Sequence, residues 1–138
     1  MIRLAAIDHV VFRVADLERS LRFYTEVLGA SLEKVQEGIG LWQLRAGDSL
    51  IDLVPVEGRL GRMGGAPAGP EGRNVDHVCF RVLPWDEAAI LAHLARHGIQ
   101  AEVAQRYGAE GDGPSLYLTD PDGNGLELKG PPASRRRG

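Results

Sequence analysis

Hydrophobic and polar positions alternate over Ile7 to Val14, with Val10, Phe12 and Val14 on one side and His9, Val11 and Arg13 on the other. A period of two predicts a half-buried strand. The period then lengthens. Leu17, Leu21, Tyr24 and Leu28 recur at helical spacing, with Phe23 and Val27 widening the apolar stripe. Asp16 is the expected N-cap, and Gly29 is the glycine that stops the helix. Short apolar runs predict strands over 31–36, 41–45 and 50–56, parted by turns at Glu37-Gly38 and Ala46-Gly47-Asp48. Residues 1–56 therefore read as one βαβββ module.

The same plan recurs. Asp76-His77-Val78-Cys79-Phe80-Arg81-Val82 repeats the Asp, His, Phe, Arg and Val of Asp8-His9-Val10-Val11-Phe12-Arg13-Val14, as expected of a chain built twice from one unit. In residues 75–132 a strand over 74–82 leads to a helix from Trp85 or Asp86 to His97. Its inner face is Ala88, Leu91, Leu94 and Ala95, and Gly98 follows its end. Strands are predicted over 101–105, 115–119 and 126–129, the last after the Asp120-Pro121-Asp122-Gly123-Asn124-Gly125 turn. Residues 57–74 are rich in Gly and Pro and have no apolar period, so they read as a linker. Residues 133–138, with three arginines, read as a disordered basic tail. The fold class is α+β: two tandem βαβββ modules forming a cup-shaped, partly closed sheet with helices outside.

Composition narrows the setting. A chain of 138 residues can bury a core without disulfides. A net charge of −3 argues against a nucleic-acid surface, and no apolar run reaches membrane length. The single cysteine, Cys79, fits a reducing cytoplasm.

The repeat also locates candidate chemistry. Matching the closing strands sets Ile51-Asp52-Leu53 against Leu126-Glu127-Leu128. If the flanking apolar residues face the helices, each carboxylate faces the side that carries His9 or His77. An inward mid-strand carboxylate is costly unless paired or ligated, and two of them repel. One divalent cation offsets both costs. Two imidazoles and two carboxylates suit Ni²⁺, Co²⁺, Zn²⁺, Mn²⁺ or Fe²⁺. The expected metal set is His9, Asp52, His77 and Glu127. His93 and His97 lie one turn apart but off the apolar stripe, so they read as solvent-facing. Tyr107 to Gly113 reads as a glycine-rich loop beside the pocket.

These residues carry a resemblance. Ile7-Asp8-His9-Val10, Val14-Ala15-Asp16-Leu17-Glu18-Arg19-Ser20, Phe23-Tyr24, Leu28-Gly29, Asp76-His77-Val78 and Tyr117 through Leu128 resemble the vicinal oxygen chelate superfamily. That superfamily includes glyoxalase I, methylmalonyl-CoA epimerase, fosfomycin-resistance enzymes, extradiol dioxygenases and metal-free bleomycin-binding proteins. The resemblance implies metal ligands on the first and fourth strands of each module, which are His9, Asp52, His77 and Glu127 here. It implies a lyase or isomerase of the glyoxalase I or epimerase type, acting on a small oxygen-chelating substrate through an enediolate-like intermediate. Glu127, partnered by Asp52, is then the candidate proton-transferring carboxylate. Arg13 matches the position that holds an anionic end of glutathione, although Leu53 to Glu57 lacks the polar contact glyoxalase I carries there. The alternatives are a drug- or metabolite-sequestering protein, an Fe²⁺ dioxygenase and a thiol transferase. A homodimer is the expected assembly.

Overall fold

The computed structural model describes residues 1–133; the predicted basic tail, apart from Ala133, lies outside the described residues. The chain divides into two compact units, Met1–Gly69 and Pro70–Gly138. Each holds an open four-stranded mixed sheet, so the α+β class and the doubled βαβββ plan are both present.

In the first unit the strands are β1 (His9–Val14), β2 (Ser31–Gln36), β3 (Leu41–Ala46) and β4 (Ser49–Pro55), in the order β1-β4-β3-β2. The parallel pairing of β1 on β4 requires a crossover, which the helix supplies. Helix α1 (Leu17–Arg22) starts where the Asp16 carboxylate accepts the Arg19 backbone N–H at 3.1 Å, the cap the sequence predicts. It runs on as a π-helical turn over Phe23–Val27, with the Leu28 N–H donating to the Phe23 carbonyl. The wider turn lets two adjacent aromatics face inward. Tyr24 stacks on Phe12 at 5.7 Å and meets Phe23 edge-on at 5.2 Å. The buried face is accordingly Ser20, Phe23 and Tyr24, while Leu17, Leu21 and Leu28 are half-buried.

In the second unit β5 (His77–Arg81), β6 (Ala104–Gly108), β7 (Gly111–Thr119) and β8 (Gly125–Lys129) take the matching order β5-β8-β7-β6. Helix α2 (Glu87–Arg96) is capped by Asp86. Leu94 is its buried anchor, with Ile90 and Leu91 half-buried. Ala88 and Ala95, predicted on the inner face, are exposed. The inner stripe is narrower than expected: Leu94 alone of the helix is fully buried. His97 is exposed as predicted, whereas His93 is half-buried with its ring 4.9 Å from that of His97.

Two stretches read as irregular are ordered. Residues 57–69 belong to the first unit, where Gly61–Gly64 forms a 3-10 turn. Arg13 fastens it, donating Nε to Gly61 O at 2.8 Å, one terminal nitrogen to Ala66 O at 3.0 Å and the other to Gly65 O. A Cβ on Gly64 would lie 2.5 Å from Arg13 Nε, so this close approach needs glycine. Residues 107–113 are a tight hairpin. Gly108 pairs with Gly111 across the two-residue turn Ala109-Glu110, and Gly111 takes the positive φ of 102° that glycine allows. A hydrophobic count misses this hairpin because its glycines and charges are ladder residues.

Candidate metal centre

Register places the predicted residues. Val11 sits beside Asp52 in the parallel β1–β4 pair, so His9, two residues earlier, shares the Asp52 face. Cys79 sits beside Glu127 in the parallel β5–β8 pair, which puts His77 on the Glu127 face. Each unit therefore brings one histidine and one carboxylate to a common sheet face. The four expected residues divide two and two. Among the described residues, no group of three or more His, Cys, Asp or Glu is assembled to hold a metal ion.

In the first unit His9 Nδ1 meets Asp8 Oδ1 at 2.7 Å. That bond, above all, raises the His9 pKa, and the Asp52 charge adds to it. Asp52 is only 2% exposed. Gln43, opposite it on β3, donates Nε2 to Oδ2 at 3.3 Å, and Gln36 Nε2 in turn donates to Gln43 Oε1 at 2.8 Å. Asp52 Oδ1 has no partner. Burial therefore raises the Asp52 pKa, and the Gln43 bond and the nearby His9 only partly counter it.

In the second unit His77 Nδ1 meets Asp76 Oδ2 at 2.7 Å, and its other nitrogen, Nε2, lies 3.1 Å from Glu127 Oε1. Asp76 is the main cause of a raised His77 pKa. Glu127 is 6% exposed, yet its pKa is lowered. Burial pushes it up, but Ser115, Tyr117, His77 and the Cys79 thiol together outweigh burial. The Ser115 hydroxyl is buried without a hydrogen bond of good geometry, so its pull on Glu127 is that of a nearby dipole. Tyr117, opposite Glu127 on β7, also sets its ring edge-on to His77 at 5.6 Å. The Cys79 residue is exposed, but burial of its sulfur beside the Glu127 charge pushes the thiol up to about 11. His77, Cys79 and Glu127 open onto a cavity of about 300 Å³ in the second unit, whose walls also include Arg81, Glu110 and Lys129.

The donor chemistry fits a divalent metal. In both units an aspartate oxygen meets Nδ1 at 2.7 Å and favours a proton there, so Nε2 is the nitrogen that would give up its proton to a metal ion; in the second unit it already faces Glu127 Oε1. The unpartnered Asp52 Oδ1 and the ionised Glu127 supply anionic oxygens. Arg13 is otherwise occupied, its guanidinium being bonded to three backbone carbonyls. Sequence reasoning did not single out Gln43, Ser115, Tyr117 or Lys129 as site residues. Counting back from the Asp120–Gly125 turn would have placed Tyr117 opposite Glu127.

Residues 6–128 match the model of the Glyoxalase/Bleomycin resistance protein/Dioxygenase superfamily. The chain belongs to this superfamily. It is 34% identical over 125 residues to the glyoxalase domain-containing protein RDO1 of Mycosarcoma maydis, covering 89% of this chain and 66% of that protein. Glutathione transferase FosA of Serratia marcescens is 28% identical over 125 residues, covering 91% of this chain and 80% of FosA. The crystal structure of virulence protein STM3117 from Salmonella typhimurium superposes with a TM-score of 0.75 at 27% identity, covering 95% of this chain and all of that one (100%). Among the described residues no helix is long and apolar enough to cross a membrane.

Proposed function

We propose that this superfamily member is a divalent-metal-dependent lyase or isomerase of the glyoxalase I or epimerase type, acting on a small oxygen-chelating substrate. The observation that carries the reading is the duplicated aspartate–histidine–carboxylate set, with both Nδ1 contacts at 2.7 Å. His9, Asp52, His77 and Glu127 would hold one Ni²⁺, Co²⁺, Zn²⁺, Mn²⁺ or Fe²⁺ ion. The bound ion would act as a Lewis acid toward two substrate oxygens.

The chain's own residues divide the remaining work. Asp8 and Asp76 fix the two imidazoles in one tautomer. The lowered pKa suits Glu127 to ligation. The raised pKa of Asp52 makes its carboxylate the better proton acceptor of the two. Gln43 orients the Asp52 carboxylate through Oδ2. Arg13 could reach a substrate only if the 61–66 strap opened.

Metal analysis tests the reading. Chelator-treated protein should take up one equivalent of Ni²⁺, Co²⁺, Zn²⁺ or Mn²⁺, and the loaded protein should isomerise the hemithioacetal of a 2-oxoaldehyde and a thiol. A chain that takes up none of these ions would sink it. The similarity to FosA over 91% of this chain supports a second reading, thiol transfer to an epoxide. Coupled thiol consumption without isomerisation would favour that one. Light scattering would check the expected homodimer.

A further inference from the structure

The cavity of the second unit has two chemically different ends. Along β8 the side chains of Glu127 and Lys129 share one face, roughly 7 Å apart by strand rise. Glu127 and His77 form one end. Lys129, beside Arg81 in the β5–β8 register, forms the other. Arg81 is neutralised, with Nε 2.7 Å from Glu110 Oε1. Lys129 is not. It is only 8% exposed, and its hydrogen bonds go to two neutral carbonyls, Gly113 O at 3.2 Å and Arg106 O. No carboxylate pairs with it among the described residues. An ammonium has three donors, and two carbonyls leave its charge uncompensated.

The surroundings are shaped to admit this side chain. A Cβ on Gly108 of β6 would lie 2.6 Å from Lys129 Cε, so glycine there leaves room for the lysine in its present position. Lys129 lines the cavity, and its charge lies near enough to Cys79 to oppose the rise of that thiol's pKa. Folding a lysine into a wall this tightly, without a counter-charge, is costly unless an anion enters the cavity.

We propose that Lys129 is an anion-recognition residue of this cavity. The substrate then carries a carboxylate, phosphonate or phosphate group roughly 7 Å beyond the oxygens held at the His77–Glu127 end. The oxygen-chelating end rests on the metal reading above; the cation end stands without it. The substrate class is thereby narrowed to small molecules with chelating oxygens at one end and an anion at the other.

Two titrations test this separately. In the first, inorganic phosphate is titrated calorimetrically into metal-free wild type, Lys129→Met and Lys129→Arg, each checked for a cooperative thermal transition. Wild type and Lys129→Arg should bind it, and Lys129→Met should bind at least about tenfold more weakly, as loss of a charged hydrogen bond predicts. No binding by wild type, or equal binding by Lys129→Met, overturns the proposal. A lower melting temperature for Lys129→Met with unchanged phosphate affinity overturns it too, since the residue would then be a strut for the β6–β7 hairpin.

The second titration compares two hydroxamates on metal-loaded protein. One is succinic monohydroxamate; the other is its neutral analogue of equal length, pentanohydroxamate. Wild type should prefer the carboxylate-bearing probe by about tenfold, and Lys129→Met should lose that preference while keeping its metal. Equal affinities in wild type overturn the proposal. If wild type takes up no metal, the lyase reading fails and the phosphate titration alone decides the role of Lys129.

Discussion

The two halves share one architecture and differ by about one methylene where it counts. Asp52 and Glu127 occupy equivalent positions on the central strands β4 and β8, each beside a neighbour two residues past its histidine. The longer Glu127 reaches His77 Nε2 at 3.1 Å and gathers polar neighbours. The shorter Asp52 is held from behind by Gln43 and keeps one oxygen unpartnered. Two carboxylates of nearly the same burial are therefore pushed in opposite directions. Duplication supplies symmetry of placement, and side-chain reach then gives the two carboxylates different surroundings.

If the proposed metal set is right, the largest expected effect separates its ligands from their supports. His77→Ala and Glu127→Gln should each weaken metal binding by at least about a hundredfold, and Asp76→Asn by about tenfold to a hundredfold. Competition against a fluorescent chelator reads all three. Asp52→Asn should lower turnover more than metal affinity. Equal losses of metal from Asp52→Asn and Glu127→Gln would mean that both carboxylates ligate equally and would break the comparison.

A smaller effect is read from the stability of the metal-free chain. Glu127 has a lowered folded-state pKa, so its ionised form contributes stability above the unfolded value of 4.5 that is lost as pH falls through the folded value. Asp52 has a raised folded-state pKa, so its contribution is present below 3.8 and is lost as pH rises through the folded value. At pH 7, Asp52→Asn should therefore stabilise the chain and Glu127→Gln destabilise it, each by on the order of 1 kcal/mol. Both differences should shrink below about pH 4. Urea unfolding at pH 7 and pH 3.5 measures them, and shifts of the same sign at pH 7 would contradict the opposed environments.

The smallest contrast concerns the duplicated arginines. Arg13 donates three hydrogen bonds to backbone carbonyls of the 61–66 strap, whereas Arg81 makes a half-exposed ion pair with Glu110. Arg13→Ala should cost about 1–2 kcal/mol and expose the strap to proteolysis, while Arg81→Ala should cost less than about 1 kcal/mol. Retention of strap protection in Arg13→Ala would free this residue for the substrate contact that the family resemblance implies.

The sequence by itself determined the repeat, the order of strands and helices, and the parity that sets His9 with Asp52 and His77 with Glu127. These are local properties, because alternation and turn residues act within a few positions of chain. Capping by Asp16 was legible for the same reason. Only the tertiary structure decided which neighbours each group meets across strands. It set Gln43 behind Asp52, turned Ser115 and Tyr117 toward Glu127, gave Arg13 to the 61–66 strap and threaded Lys129 past Gly108. Those partners lie on other strands and turns, so no period of hydrophobicity records them. They fix the charge, proton affinity and reach of the residues whose positions the sequence had already marked.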